Sequence, residues 1–142
     1  MARATTQRDR SSAFDAVKAA GLLLPDVEAT KKYDGSPVLK LGGCFMAGLA
    51  THRSAEPDTL VVRINVEERA LLLEEAPDTY YVTDYYRRYP IVLVRLSRGG
   101  RDALSDLLAV SWRLTSAKAG RRHGARLRSA RPVTDAWSGR HV

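Results

Sequence analysis

The chain has 142 residues, 44% hydrophobic and 27% charged, a composition that suits one globular core and excludes wholesale disorder. No apolar run approaches the ~18 residues needed to span a bilayer, residues 1–10 lack the apolar stretch of a signal peptide, and a single Cys44 excludes an internal disulfide or a Cys-rich zinc site, so a cytoplasmic protein without membrane attachment is expected. The net charge of +7 is unevenly placed: Arg3, Arg8 and Arg10 against Asp9 give +2 in residues 1–10, residues 11–118 balance 14 basic against 14 acidic side chains, and six arginines against Asp135 give +5 beyond them.

Residues 1–10 are polar and Arg-rich and read as a disordered basic arm. Ser11 or Ser12 can cap a first helix over about 12–21, with Phe14 and Val17 on its apolar side and Pro25 beyond its end. From Val27 to Ile64 short apolar runs alternate with turn residues. Asp34-Gly35-Ser36-Pro37, Gly42-Gly43 and Ser54 to Asp58 divide four strands, Val27–Tyr33, Val38–Leu41, Phe45–Ala50 and Thr59–Ile64. Connections this short predict an antiparallel meander. Asn65 caps a second helix whose Ala70, Leu71, Leu72, Leu73 and Ala76 suggest a broad apolar face, and Pro77-Asp78 ends it. Two further strands, Thr79–Val82 and Ile91–Leu96, flank a polar aromatic loop, Asp84-Tyr85-Tyr86-Arg87-Arg88-Tyr89-Pro90. A last helix runs from about Asp102 to Ala119, with Leu104, Leu107, Leu108, Ser111 and Leu114 facing inward and Trp112 at the edge. Residues 121–142 then form a basic Arg-rich tail rather than a continuation of that helix. The expected organisation is therefore a folded unit over 11–120 between two basic ends. Its class is α+β, a two-layer sandwich of an antiparallel sheet with helices packed on it.

Several segments carry a resemblance to a known family. They are Gly35-Ser36-Pro37, Gly42-Gly43-Cys44-Phe45-Met46-Ala47, Leu60-Val61-Val62-Arg63 leading into Glu67-Glu68, Tyr89-Pro90-Ile91-Val92-Leu93-Val94-Arg95-Leu96, and Ser111-Trp112-Arg113-Leu114-Thr115-Ser116-Ala117-Lys118. In this order and spacing, from about Phe14 to Lys118, they resemble the MmcQ/YjbR family. The resemblance implies a fold similar to that of secretion chaperones and a double-wing DNA-binding role.

No catalytic constellation is legible. Cys44 has no paired histidine nearby in sequence and reads as a packed core thiol. His52 and Glu56 are two metal ligands without a third, and the Gly pairs lack the spacing of a phosphate-cradling loop. No cofactor or metal is expected, and the protein is read as non-enzymatic. Arginine grips phosphates and tyrosine stacks on bases, so Arg53, Arg87, Arg88, Arg121, Arg122 and Arg126 are the candidate nucleic-acid contacts, and Tyr85, Tyr86 and Tyr89 the stacking or interface residues. Alternatively, the tyrosines pack under the sheet edge and the arginines are merely solvated. The leading expectation is a weak, largely electrostatic module for double-stranded DNA. A protein-interaction or chaperone-like module, homodimeric through the sheet, is the alternative, and a small-molecule sensor with an aromatic lid is a third reading.

Overall fold

A computed structural model describes the backbone of residues 14–129 and the side chains of residues 14–120. Helix α1 covers 14–22. Strands β1 (Val27–Lys31), β2 (Pro37–Leu41), β3 (Cys44–Leu49) and β4 (Thr59–Arg63) follow as the expected meander. Then come α2 (Val66–Glu75), β5 (Tyr80–Tyr81), the one-turn helix α3 (Asp84–Arg87), β6 (Ile91–Arg95) and α4 (Arg101–Ser129). The six strands form one antiparallel sheet in the order β1-β2-β3-β4-β6-β5, so β6 returns to pair with β4 and leaves two-residue β5 at the edge. The fold is α+β, as expected, and no helix among the described residues is long and apolar enough to cross a membrane.

Alternation along the strands separates two apolar layers. Leu39, Leu60, Val62, Val92 and Val94 point to the layer completed by Phe14 and Val17 of α1 and by Leu107 and Leu108 of α4. Val38, Phe45, Val61, Ile91 and Leu93 point the other way, and no long helix among the described residues covers them. That second layer is closed by Tyr86, with Ala50, Ala55, Tyr81, Val82, Tyr85 and Tyr89 packed around it.

The β2–β3 hairpin turns on Gly42 and Gly43, whose φ values of 58° and 78° are the left-handed pair that a two-residue hairpin turn requires. Leu39 pairs with Ala47 and Lys40 with Phe45, so Met46 is the extra residue of a β-bulge. A bulge interrupts the ladder, and two side chains serve the carbonyls there. Ser111 Oγ donates to the Met46 carbonyl (3.2 Å) and Arg63 Nε to that of Phe45 (2.8 Å). This accounts for a serine and an arginine in the interior. Burial lowers the Arg63 pKa to about 10.

Three expectations about the helices need correction. Leu71 is exposed and Leu72 and Leu73 are only half-buried, while the buried residue of α2 is Arg69. Its Nη1 donates to the carbonyls of Tyr89 (2.9 Å) and Ile91 (3.2 Å), so the helix is held by a guanidinium rather than by a broad leucine face. The polar aromatic loop contains α3. The last helix does not stop at Ala119 but continues in backbone to Ser129. Arg, Ala and Leu are strong helix formers, and each interior glycine costs only about 1 kcal/mol, so Gly120 and Gly124 do not end an established helix. The side chains expected to make a basic tail from residue 121 onward, like residues 1–10, lie outside the described residues.

α4 buries Leu107, Leu108, Ser111 and Thr115. Trp112 is half-buried at the edge, as expected, and donates from Nε1 to the Pro25 carbonyl (2.8 Å). Leu108→Ala is expected to cost about 2–5 kcal/mol, because Leu108 is 0% exposed, whereas Arg113→Ala on the solvent side should stay within roughly 0.5 kcal/mol. Urea unfolding of both variants checks the rotation of the helix; equal losses would place its inner face elsewhere.

Candidate nucleic-acid interface

The second face of the sheet carries the candidate site, built from α3 and the 50–58 connection between β3 and β4. Thr83 starts α3 as its N-cap, accepting from the Tyr86 N–H, and Asp84 adds negative charge to the first turn. One turn of helix places Tyr86 inward and Arg87 outward. Tyr86 is 1% exposed and fills the layer over Val61, Ile91 and Leu93, while its hydroxyl accepts from the His52 N–H (3.3 Å).

That hydrogen bond is one of several latches between α3 and the 50–58 connection. The His52 ring stacks on Tyr85 with centroids 3.5 Å apart and planes 6° from parallel. Tyr86 meets both rings edge-on. Ser54 Oγ lies 2.9 Å from Thr83 Oγ1, and His52 Nδ1 accepts from the Ser54 N–H (3.1 Å). At the far end of the same connection Tyr81 Oη accepts from the Glu56 N–H (2.8 Å) and lies 2.6 Å from Thr59 Oγ1. Arg95 covers the Tyr81 ring at 4.2 Å and grips both oxygens of Glu56 (2.9 and 2.7 Å). The 50–58 connection is thereby fastened to the sheet at both ends.

This fastening decides where the expected arginines sit. Arg53 is exposed on the connection, between the two residues that latch it to α3, and Arg87 and Arg88 are exposed at the end of α3. The three therefore lie on two segments that are latched together, here called the α3 corner. Arg88 lies 6.0 and 5.9 Å over the rings of Tyr85 and Tyr89. Arg87 is 3.6 Å from Asp84 in an exposed pair, a contact worth little in water. Arg69 approaches from α2. Burial and then the charge of Arg87 lower its pKa, so a fourth guanidinium adds to the positive potential of the corner.

Of the expected stacking residues, Tyr85 and Tyr89 are half-buried and reach the surface, whereas Tyr86 is a core residue and cannot stack on a ligand. Arg121, Arg122 and Arg126 fall outside the described side chains. Arg69 is part of the arrangement and was missed, and His52 and Tyr81 take part in it through contacts that the sequence does not show. Their roles depend on partners far away in sequence, and only the Thr83-Asp84 cap could have pointed to α3. His52 and Glu56, weighed as metal ligands, are instead engaged with Tyr85 and Arg95, and no group of three potential metal ligands occurs among the described residues. Cys44 is buried.

The Tyr86 phenol is held above its ordinary pKa, chiefly by burial. The folded chain therefore keeps its proton at pH values where the unfolded chain loses it, about 10 and above. That stabilisation is complete below pH ~10 and is lost as pH rises through the folded value. Tyr86→Phe is expected to flatten the fall in stability above pH ~10, read by urea unfolding across the alkaline range; an unchanged slope would place the phenol in water.

No family model matches the chain, and no curated protein or solved structure matches it.

Proposed function

We propose that the protein is a non-enzymatic nucleic-acid-binding module whose α3 corner meets the phosphates of double-stranded DNA. The observation that carries this reading is the latch of His52 on Tyr85 and Ser54 on Thr83, which joins the segment that carries Arg53 to the helix that carries Arg87 and leads into Arg88. Three exposed guanidiniums on a fastened surface lose less freedom on binding than three on mobile loops. Tyr85 and Tyr89 support Arg88 from beneath, and a phosphate can take Arg87 from Asp84 at small cost. The segment 11–118 is neutral in net charge, so long-range attraction comes from the arginines beyond residue 118 and is sequence-independent. The binding is accordingly weak and largely electrostatic, with the α3 corner fixing how the domain sits on the duplex. This agrees with the role implied by the MmcQ/YjbR resemblance.

Amide chemical shifts of the intact protein, followed while duplex DNA is added at low salt, test the reading. Movement of residues 50–58 and 83–89 is expected. Shifts confined to other surfaces, or no binding at low salt, would defeat it.

A self-associating interaction module is favoured by a different observation. β1 is an edge strand with exposed side chains along Glu28 to Lys31, and Leu22, Leu23 and Tyr33 are exposed around it. Sedimentation over a range of concentrations tests this reading; a monomer throughout excludes it.

A further inference from the structure

On the opposite face of the sheet, α2 and α4 leave a groove of about 430 Å³ between them. Its floor and walls are apolar, with Ile64 and the ring of Tyr80 below, Leu72 on one side and Leu107 and Val110 on the other. Its rim is acidic, formed by Glu68 and Glu75 of α2 and Asp106 of α4. All three carboxylates are exposed, and among the described residues none forms a salt bridge. Burial and then the charges of Glu75 and Asp106 hold the Tyr80 phenol above its ordinary pKa, so carboxylates from both helices act on one point of the floor.

The walls have the pattern of two helices awaiting a third. Glu68, Leu72 and Glu75 recur at helical spacing on α2, and Ala103, Asp106, Leu107 and Val110 do so on α4. Leu71, three residues after Glu68 and four before Glu75, adjoins this side of α2 and is 53% exposed. Ridges spaced in this way accept the side-chain row of another helix. The span from Ala103 to Val110 matches about two turns of it.

We propose that this groove docks a cationic amphipathic helix of a partner protein, one apolar row entering between Leu72 and Val110 while flanking Lys or Arg side chains meet Glu68, Glu75 and Asp106. Charge complementarity and the apolar floor select that occupant together. The chain's own basic ends supply the charge but not the row: residues 1–13 contain no Leu, Ile, Val or Phe, and residues 121–142 hold Leu127, Val133, Trp137 and Val142 with Pro132 among them, so only Val133 and Trp137 stand at helical spacing. None of the groove residues belongs to the Arg53, Arg87 and Arg88 corner, so the two sites are tested separately.

The probe is a fluorescein-labelled helical peptide with Leu at i, i+3, i+4 and i+7 and Lys elsewhere, titrated against the full chain beside a counterpart with Glu for Lys. The lysine peptide is expected to bind and to move amides of α2 and the first half of α4; the glutamate peptide is expected not to bind. The combined change Glu68→Lys, Glu75→Lys and Asp106→Lys should weaken binding at least tenfold, with the far-UV circular dichroism of the fold retained. Because charge reversal could perturb α2, Glu68→Gln with Glu75→Gln serves as the milder variant and should weaken binding severalfold. Equal binding of the two peptides, unchanged affinity in both variants, or shifts confined to α3 would overturn the proposal. Groove amides that move with protein concentration alone would make a second copy the occupant. A tenfold gain in peptide affinity on changing Arg121, Arg122, Arg126 and Arg128 to Gln would make the chain's own end the occupant. Either result also overturns it.

Discussion

Replacing Tyr86 with alanine is expected to lower stability by about 3–5 kcal/mol, the usual cost of emptying a large aromatic site in a core. A domain of this size has a total stability of about 5–15 kcal/mol, so the variant should unfold at a much lower urea concentration. The magnitude follows from position. Tyr86 is 1% exposed, it is the largest fully buried side chain of a layer that no long helix among the described residues covers, and the rings of His52 and Tyr85 pack edge-on against it. Removing it opens the space beneath α3 and leaves the His52 N–H without its acceptor. Tyr86→Phe separates the two effects. It retains the ring and loses only the hydroxyl, for an expected cost of about 1 kcal/mol. A loss below about 1 kcal/mol for the alanine variant would show that α3 lies on the surface rather than in the core.

Removing residues 121–142 is expected to abolish most of the affinity for duplex DNA. The segment contains Arg121, Arg122, Arg126, Arg128, Arg131 and Arg140 against Asp135, so it supplies +5 of the net +7. Each arginine that neutralises a phosphate steepens the dependence of log affinity on log salt by about 0.9, and at 0.1 M salt each such contact is worth on the order of tenfold. The truncated chain should bind more weakly and with a shallower salt slope. What remains should disappear with Arg87→Ala and Arg88→Ala, since residues 11–118 have no net charge to hold DNA elsewhere. Fluorescence anisotropy at several salt concentrations reads both quantities. An unchanged slope after truncation would remove the basic end from the interface.

The meander was legible in the sequence because its turns are chemically explicit. Gly42 and Gly43 permit the one backbone conformation that a tight hairpin needs, and Asp34 accepts both the N–H (2.9 Å) and the hydroxyl (2.6 Å) of Ser36 to form the turn before β2. The inner face of α4 was legible for a similar reason, since Leu104, Leu107, Leu108 and Ser111 repeat with the helical period. The bulge at Met46 was not. It leaves no turn residue behind, and its signature, buried Arg63 and Ser111, appears only when the strands are paired.

Similar logic governed the candidate site. Arg53, Arg87 and Arg88 could be chosen by residue type, but the joining of their segments rests on contacts between His52 and Tyr85 and between Ser54 and Thr83, about thirty positions apart. Tyr86 was misplaced because neighbouring tyrosines in a polar stretch look alike in sequence. One turn of helix sends them in different directions, and only Tyr86 goes to the core. Leucines of α2 were overvalued for the converse reason, as a run of three must wrap around the helix and expose at least one.

Salt-dependent binding of duplex DNA by the full chain, compared with the combined variant Arg53→Ala, Arg87→Ala and Arg88→Ala, tests the α3 corner most directly. All three side chains are exposed, so the variant should retain its free energy of unfolding in urea within about 0.5 kcal/mol per site. If the corner holds phosphates, the salt slope should become shallower by about 0.9 per arginine, roughly 2.7 in all, and affinity should fall at every salt concentration. Unchanged affinity and slope in a variant that remains folded would contradict the account, leaving the basic end alone to hold the DNA.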